Sequence, residues 1–267
     1  MKLWKNILLW IISFILTAGF AVYQRVTGPT YPIDGSLTVQ SKELHYRLPR
    51  SSSGSDDEII KIYAPADKIT GVLSWKKFVT GKHEQFKWHS EKMYRRGDTL
   101  IGKIPGQPPA GKIMYNITLN SGGIEFRLSE EPVIIRFKGE VPDFFLVLHV
   151  IFIFGAMWIS MRTGLEALFK GENVYKYTLW TVVTLFIGGL IMGPVIQKYA
   201  FGAFWTGWPF GHDLTDNKTI VSWLMWIIAL WRLRKNPDAK GWALAASIVL
   251  IAVSLIPHSV LGSELDY

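Results

Sequence analysis

Seven side chains able to do chemistry stand near the ends of apolar runs in the C-terminal half of the chain: His149, His212, Asp213, Asp216, His258, Glu264 and Asp266. Imidazole and carboxylate together suit Zn, Fe, Mn or Cu, and two helix-borne histidines can ligate a b-type haem. An ionisable side chain inside a membrane span is a functional candidate by default, and His149 is one. His149, His212 and His258 are therefore the candidate metal or haem ligands. Their spacing matches no metal signature, and plainer roles are open to the same residues. Asp213, Thr215 and Asp216 can accept from the first amides of a helix, His149 can bond a neighbouring helix, and residues 264–267 read as a solvated tail. His45, His83 and His89 show no ligand spacing. The chain has no cysteine, so disulfides, thiolate metal sites and Cys-linked haem are excluded. It also lacks a Gly-rich phosphate loop, Gly-x-Ser-x-Gly and His-Glu-x-x-His, so no motif names a reaction or a cofactor.

A second group of residues suggests recognition rather than reaction. Residues 197–219 lie between two apolar runs and carry Trp205, Trp208 and Phe210 among Gly202, Gly207, Pro209 and Gly211, closing on His212-Asp213-Leu214-Thr215-Asp216. Trp and Phe are unfavourable in a freely solvated loop, so the connection must be ordered. Glycines at 207 and 211 would permit turns that a Cβ would block, and Pro209 would stiffen the link between the rings. This reads as a cap on a small membrane bundle, with Trp205, Trp208 and Phe210 packed over the outer helix ends. Trp205, Trp208, Phe210, Asp213 and Asp216 are the candidate binding residues, because exposed aromatic surfaces are rich in binding hot spots.

The elements that position these groups are apolar runs. Residues 7–23 follow Lys2 and Lys5 and approach the ~20 residues needed to span, which reads as a signal anchor; Gly19-Phe20-Ala21 is the competing cleavage site. Further runs cover 144–161, 177–196, 219–231 and 242–256. The fourth spans only if its helix begins near Leu214 and Lys218 and Arg232 snorkel. Gly189 and Gly193 form a small-xxx-small step suited to close helix packing. Arg162 and Glu166, four apart at a helix end, suit a local ion pair. Ten of the twelve Trp fall outside residues 26–142, as expected for indoles at membrane interfaces.

Residues 26–142 are different material, polar and rich in turns. Alternation places strands at 36–40, 43–48, 58–63, 71–79, 85–89, 99–104, 112–119, 123–128 and 133–138, with turns at Ser51-Ser52-Ser53-Gly54-Ser55-Asp56 and Ser121-Gly122-Gly123. Short strands at this spacing favour a two-sheet sandwich. Leu100-Ile101-Gly102-Lys103-Ile104-Pro105-Gly106-Gln107-Pro108-Pro109-Ala110-Gly111-Lys112-Ile113-Met114-Tyr115-Asn116-Ile117 resembles the strand–turn–strand segment of bacterial immunoglobulin-like and fibronectin-type-III-like domains. Glu131-Pro132-Val133-Ile134-Ile135-Arg136-Phe137 is similar to a last strand of that fold. The resemblance covers about a third of the chain and implies a β-sandwich, without implying a binding partner. Between Trp75 and Arg96, Lys and Arg interleave with Phe78, Phe86, Trp88 and Tyr94. That pattern can bind single strands, but on strands it is more often one apolar and one solvated face.

The net charge is +8, and its placement argues for topology over nucleic acid. With the N-terminus inside, the inner segments hold Lys2, Lys5, Arg162, Lys170, Lys176, Arg232, Arg234, Lys235 and Lys240, whereas the short outer segments hold Lys198 and Lys218. The sequence thus predicts an α-helical integral membrane protein of about five transmembrane helices with an inserted extracytoplasmic all-β domain. Its parts are an anchor at 1–25, the sandwich at 26–142 and a four-helix domain at 143–267. The expected setting is a bacterial inner membrane, N-terminus cytoplasmic, β-domain and C-terminus outside. The expected role is a non-catalytic binding or accessory subunit that engages a protein partner, membrane lipid or glycan, with no nucleic acid. The rival expectation is a redox, metal- or haem-binding membrane protein built on the histidine and carboxylate cluster.

Overall fold

A computed structural model describes residues 3–39, 42–65 and 68–257, and the chain divides into a helical unit and a β unit. His258, Glu264 and Asp266 lie outside the described residues.

The helical unit starts with α1 (Leu3–Thr27) and continues with α2 (Asp143–Leu168). Next comes one 28-residue helical run, Val174–Phe201. It consists of α3 (Val174–Leu185), a π-helical segment (Phe186–Met192) and α4 (Gly193–Phe201). Then follow α5 (Leu214–Lys235) and α6 (Gly241–Leu255). Three of these helices, Leu3–Thr27, Asp143–Leu168 and Val174–Phe201, are long and apolar enough to cross a membrane. The α5 helix carries Asp216 and Lys218 in its first turns and Arg232, Arg234 and Lys235 in its last. The 15 residues of α6 rise ~22 Å, short of a ~30 Å hydrocarbon core.

Small side chains let these helices approach. A Cβ on Gly188 would stand 2.9 Å from the Ile153 nitrogen, and one on Gly189 would stand 2.6 Å from Thr219 Cγ2. A Cβ on Gly193 would meet only Gly188 O, at 3.8 Å. The close-packing step is therefore Gly188-Gly189, not the Gly189/Gly193 pair expected from spacing. Ala156, Ala229, Ala243 and Ala246 are fully buried around Trp226.

In the β unit, eleven strands are formed among the described residues. They are β1 (Ile33–Val39), β2 (Lys42–Leu48), β3 (Ser51–Ser53), β4 (Glu58–Tyr63), β5 (Ile69–Lys77), β6 (His89–Lys92), β7 (Tyr94–Arg96), β8 (Thr99–Ile104), β9 (Lys112–Ser121), β10 (Ile124–Arg127) and β11 (Val133–Lys138). They form a β1–β2 hairpin, a sheet ordered β3-β11-β9-β5-β6 with β10 on β9, and a sheet ordered β4-β8-β7. All three feed one core that includes Leu44, Leu48, Ile60, Ile62, Leu73, Ile113, Tyr115, Ile117 and Phe137. On β9 every second residue from Ile113 to Ser121 is buried, the period-2 signature of a strand with one face inward. Tyr115 is fully buried and donates its hydroxyl to Pro49 O at 2.8 Å. Burial first, and then the charge of Glu58, pushes this phenol well above its ordinary range.

Two local expectations fail. Ser51–Ser53, expected as part of a turn, is a strand paired in parallel with Arg136–Lys138. Gln85, expected to start a strand, ends a short 3₁₀ turn, and strand pairing begins at His89 opposite Trp75. The basic–aromatic stretch pairs partly with itself. Trp75 stacks on His89 with ring centroids 4.6 Å apart, and Lys76 Nζ stands 5.1 Å from the Trp88 ring centroid.

Candidate functional site

The loop before α5 is pinned by side chains that bond its backbone. Asp213 caps the helix, its Oδ1 accepting from Thr215 N at 2.8 Å. Asp216, one turn on and buried, reaches back instead: its Oδ2 accepts from Thr206 N at 2.7 Å and Gly207 N at 2.9 Å. Asn217 Oδ1 accepts from Trp208 N at 2.6 Å. Gln197 Nε2 donates to Thr206 Oγ1 at 2.6 Å, and that hydroxyl lies 3.3 Å from Asp213 Oδ2 as its donor. Three consecutive loop amides, at 206, 207 and 208, are thus satisfied by the first turn of α5. Buried backbone donors left unpaired would each cost about 1–3 kcal/mol, so the carboxylate and amide side chains fix the path of the loop.

The glycines are required where the sequence suggests. A Cβ on Gly207 would stand 2.5 Å from Asp216 Cβ and 2.8 Å from Asn217 Oδ1, and one on Gly211 would collide with the Thr206 carbonyl. Asp213 N, Phe210 N and Gly211 N donate to Thr206 O, Gly207 O and Gly207 O. The Trp208–Pro209 peptide is cis, and Trp205 Nε1 donates to Trp208 O at 3.0 Å.

The rings do not pack down over the helix ends. Trp208 is 70% exposed and Phe210 83%, with Phe204 also exposed at 58%. Trp205 alone of the three expected rings is partly covered. This corrects the expected cap: the backbone is held by polar bonds, so the aromatic side chains are not needed to hold it and project outward.

The histidines take separate positions. His149 lies on α2 with Nδ1 2.9 Å from Gly188 O in the π-helical segment, the inter-helix bond that was its plainer role. His212 precedes the Asp213 cap and is exposed. His258 falls outside the described residues. Among the described residues no group of three His, Asp or Glu side chains is placed to hold a metal ion, and Asp213 and Asp216 spend their oxygens on the loop and the cap.

At the opposite end of the same bundle lies a polar cluster whose size the sequence did not disclose. Arg162 Nη1 and Glu166 Oε2 approach to 2.6 Å with the two side chains 0% and 1% exposed. The approach is an ion pair by distance, without the alignment of a directed hydrogen bond, and Arg162 Nε has no hydrogen-bond partner among the described residues. Arg162 Nη2 donates to Asn6 Oδ1 at 2.7 Å, and the guanidinium lies 5.0 Å from the Tyr177 ring and 5.5 Å from that of Trp10. Glu166 Oε1 accepts from Asn173 N at 3.2 Å. Trp10 meets Trp158 and Tyr177 edge to face, and Trp158 Nε1 donates to Trp10 O at 3.1 Å. The pair therefore ties α1 to α2 and α3. The i,i+4 spacing signalled the pair; its full burial was not legible, because the covering groups come from three other segments.

Comparison with protein-family models, with curated proteins and with solved structures returns no match to this chain.

Proposed function

We propose that the protein is a non-catalytic binding or accessory subunit of a bacterial inner membrane, and that its aromatic loop engages a partner protein. In this reading the helical unit crosses the bilayer five times: α5 joins the three long apolar helices with its charged ends snorkelling to the interfaces, and the shorter, uncharged α6 crosses where the bilayer thins around it. The N-terminus is cytoplasmic and the β unit, an immunoglobulin-like sandwich, is extracytoplasmic, as the placement of Lys and Arg supports. We read α1 as a retained anchor, a reading supported by the contacts of Asn6, Trp10 and Gln24 within the bundle.

One observation carries the binding role: exposed Trp208 and Phe210 stand on a backbone fixed by Asp213, Asp216 and Asn217. Large apolar rings left uncovered by their own chain gain free energy when something covers them, and a rigid loop loses little entropy when it is covered. Such a pre-ordered aromatic pair is what a hot spot requires. The test is affinity purification of the full chain from membranes, wild type beside Trp208→Ala/Phe210→Ala. A co-purifying protein that is lost in the double variant, with yield and unfolding temperature unchanged, supports the proposal. Equal recovery of every co-purifying protein from both forms rejects it.

A further inference from the structure

At the end of the bundle that holds the buried ion pair, α1 and the α2–α3 turn form a half-open cavity of about 450 Å³ lined by Trp4, Lys5, Leu8, Leu9, Phe169, Lys170, Gly171 and Glu172. We propose that this cavity binds one anionic phospholipid, its phosphate between Lys5 and Lys170 and its chains along α1. The inference rests on the helical unit lying in a bilayer, and is independent of what the aromatic loop binds.

The cavity is built with care on its protein side. Lys170 adopts φ +54°, a left-handed conformation uncommon outside glycine. The following residue must be glycine, because a Cβ at Gly171 would collide with the Glu166 carboxylate. Lys240 Nζ donates to Lys170 O at 3.2 Å and to Gly171 O at 2.9 Å, and Gly171 N donates to Glu166 O at 2.8 Å. The Glu166 carbonyl and the partly buried Lys240 ammonium thus hold the turn that carries Lys170, and the Glu166 carboxylate holds its far side through Asn173 N. Neither ammonium at the cavity, Lys5 or Lys170, has a carboxylate partner among the described residues. Lys5 Nζ lies 5.6 Å from the Trp4 ring centroid.

The lining matches the two ends of a lipid. Two cations against the one carboxylate of Glu172 leave the polar end positive, which suits a phosphate diester bearing net charge rather than a zwitterion. Leu8, Leu9 and Phe169 supply the apolar side. Leu8 is continuous with the exposed Leu3, Ile7 and Ile11 on α1, a face that only acyl chains or another apolar surface would cover. Trp4 sits at the boundary, where indoles favour headgroup depth. The volume falls within the ~300–1,000 Å³ of ordinary ligand pockets, too small for a whole lipid and sufficient for its head and glycerol. A protein segment as occupant would need backbone partners, and the lining offers polar groups only at its lysine end.

The experiment is native mass spectrometry of the full chain released from nanodiscs made of phosphatidylglycerol and phosphatidylcholine in equal amounts. Wild type should retain one phosphatidylglycerol in preference to phosphatidylcholine. Lys5→Gln/Lys170→Gln should lose that preference by on the order of tenfold, given the attraction each cation supplies. Lys198→Gln, a basic residue near the loop at the other end, should leave it unchanged. Glycerol phosphate added in solution should not displace the lipid; displacement would show a soluble phosphate site instead and overturn the proposal. Equal retention by wild type and the double variant would also overturn it. Trp208→Ala/Phe210→Ala should keep the lipid, so loss of the partner and loss of the lipid are read separately.

Discussion

The two ends of the helical unit solve opposite problems with the same residue types. At the loop end, Asp213, Asp216 and Asn217 turn inward and the rings of Trp208 and Phe210 turn outward. At the other end, Trp10 and Tyr177 turn inward over a charge pair, Arg162–Glu166, that no solvent reaches. In the first case polar groups satisfy the backbone and free the aromatics for an outside surface. In the second the aromatics shield ions whose desolvation is costly. Aromatic–polar clusters of similar composition can thus present their rings outward or close over ions as a structural lock. Both carboxylates, Asp216 and Glu166, accept from backbone N–H groups; the difference lies in whether a cation is paired with the carboxylate as well.

The sharpest way to break the comparison is at the ion pair. Arg162→Ala leaves Glu166 buried and unpaired, a loss of about 3–5 kcal/mol, read as a fall in the midpoint of thermal unfolding of the purified protein in detergent. Arg162→Met/Glu166→Leu replaces both ions with apolar side chains and should recover most of that loss. If the double variant is as unstable as the single one, the lock is not the charge pair but the hydrogen bonds to Asn6 and Asn173.

At the loop end the carboxylate itself is the strongest handle. Asp216→Ala strips the acceptor from the Thr206 and Gly207 amides, a loss of about 2 kcal/mol if the amides stay buried. Limited proteolysis should then cut within residues 203–212, where the wild type resists. Gly207→Ala forces a methyl against Asp216 and Asn217, costing about 1–3 kcal/mol, with the same cleavage pattern. A variant cut elsewhere would show that the loop is ordered by something other than the first turn of α5.

How much of this was legible in the sequence follows the range of the interactions. The five helical runs, the Asp213 cap and the need for Gly207 and Gly211 were readable, because hydropathy, capping and turn geometry are local. Most strands were readable from alternation. Ser51–Ser53 was not, because serine carries little strand preference and its partner, Arg136–Lys138, lies far along the chain. The direction of the Trp208 and Phe210 rings depended on Asp216 bonding backward to Thr206 rather than forward along its helix, a choice that spacing does not record. Arg162 and Glu166 were visible as a pair, but Asn6, Trp10, Asn173 and Tyr177 had to be folded around them before their burial existed.

The smallest stability effect tests the functional half of the comparison. Trp208 and Phe210 are largely exposed, so truncating either removes few packing contacts, and each alanine variant should unfold within ~0.5 kcal/mol of wild type. A buried tryptophan such as Trp226, with no exposure at all, should instead cost about 3–5 kcal/mol when truncated. The contrast is therefore measurable in one series of melts. If Trp208→Ala is as harmful as Trp226→Ala, the ring is covered by the protein's own chain and the loop is a cap after all. If it is silent in the melt yet removes a partner from the purified complex, the energy of that ring is spent on binding. Asp213→Asn provides the counter-test, since an amide oxygen can still cap Thr215 N. It should be mild for both stability and partner recovery, because Asp213 shapes the loop from within and leaves the exposed rings of Trp208 and Phe210 in place.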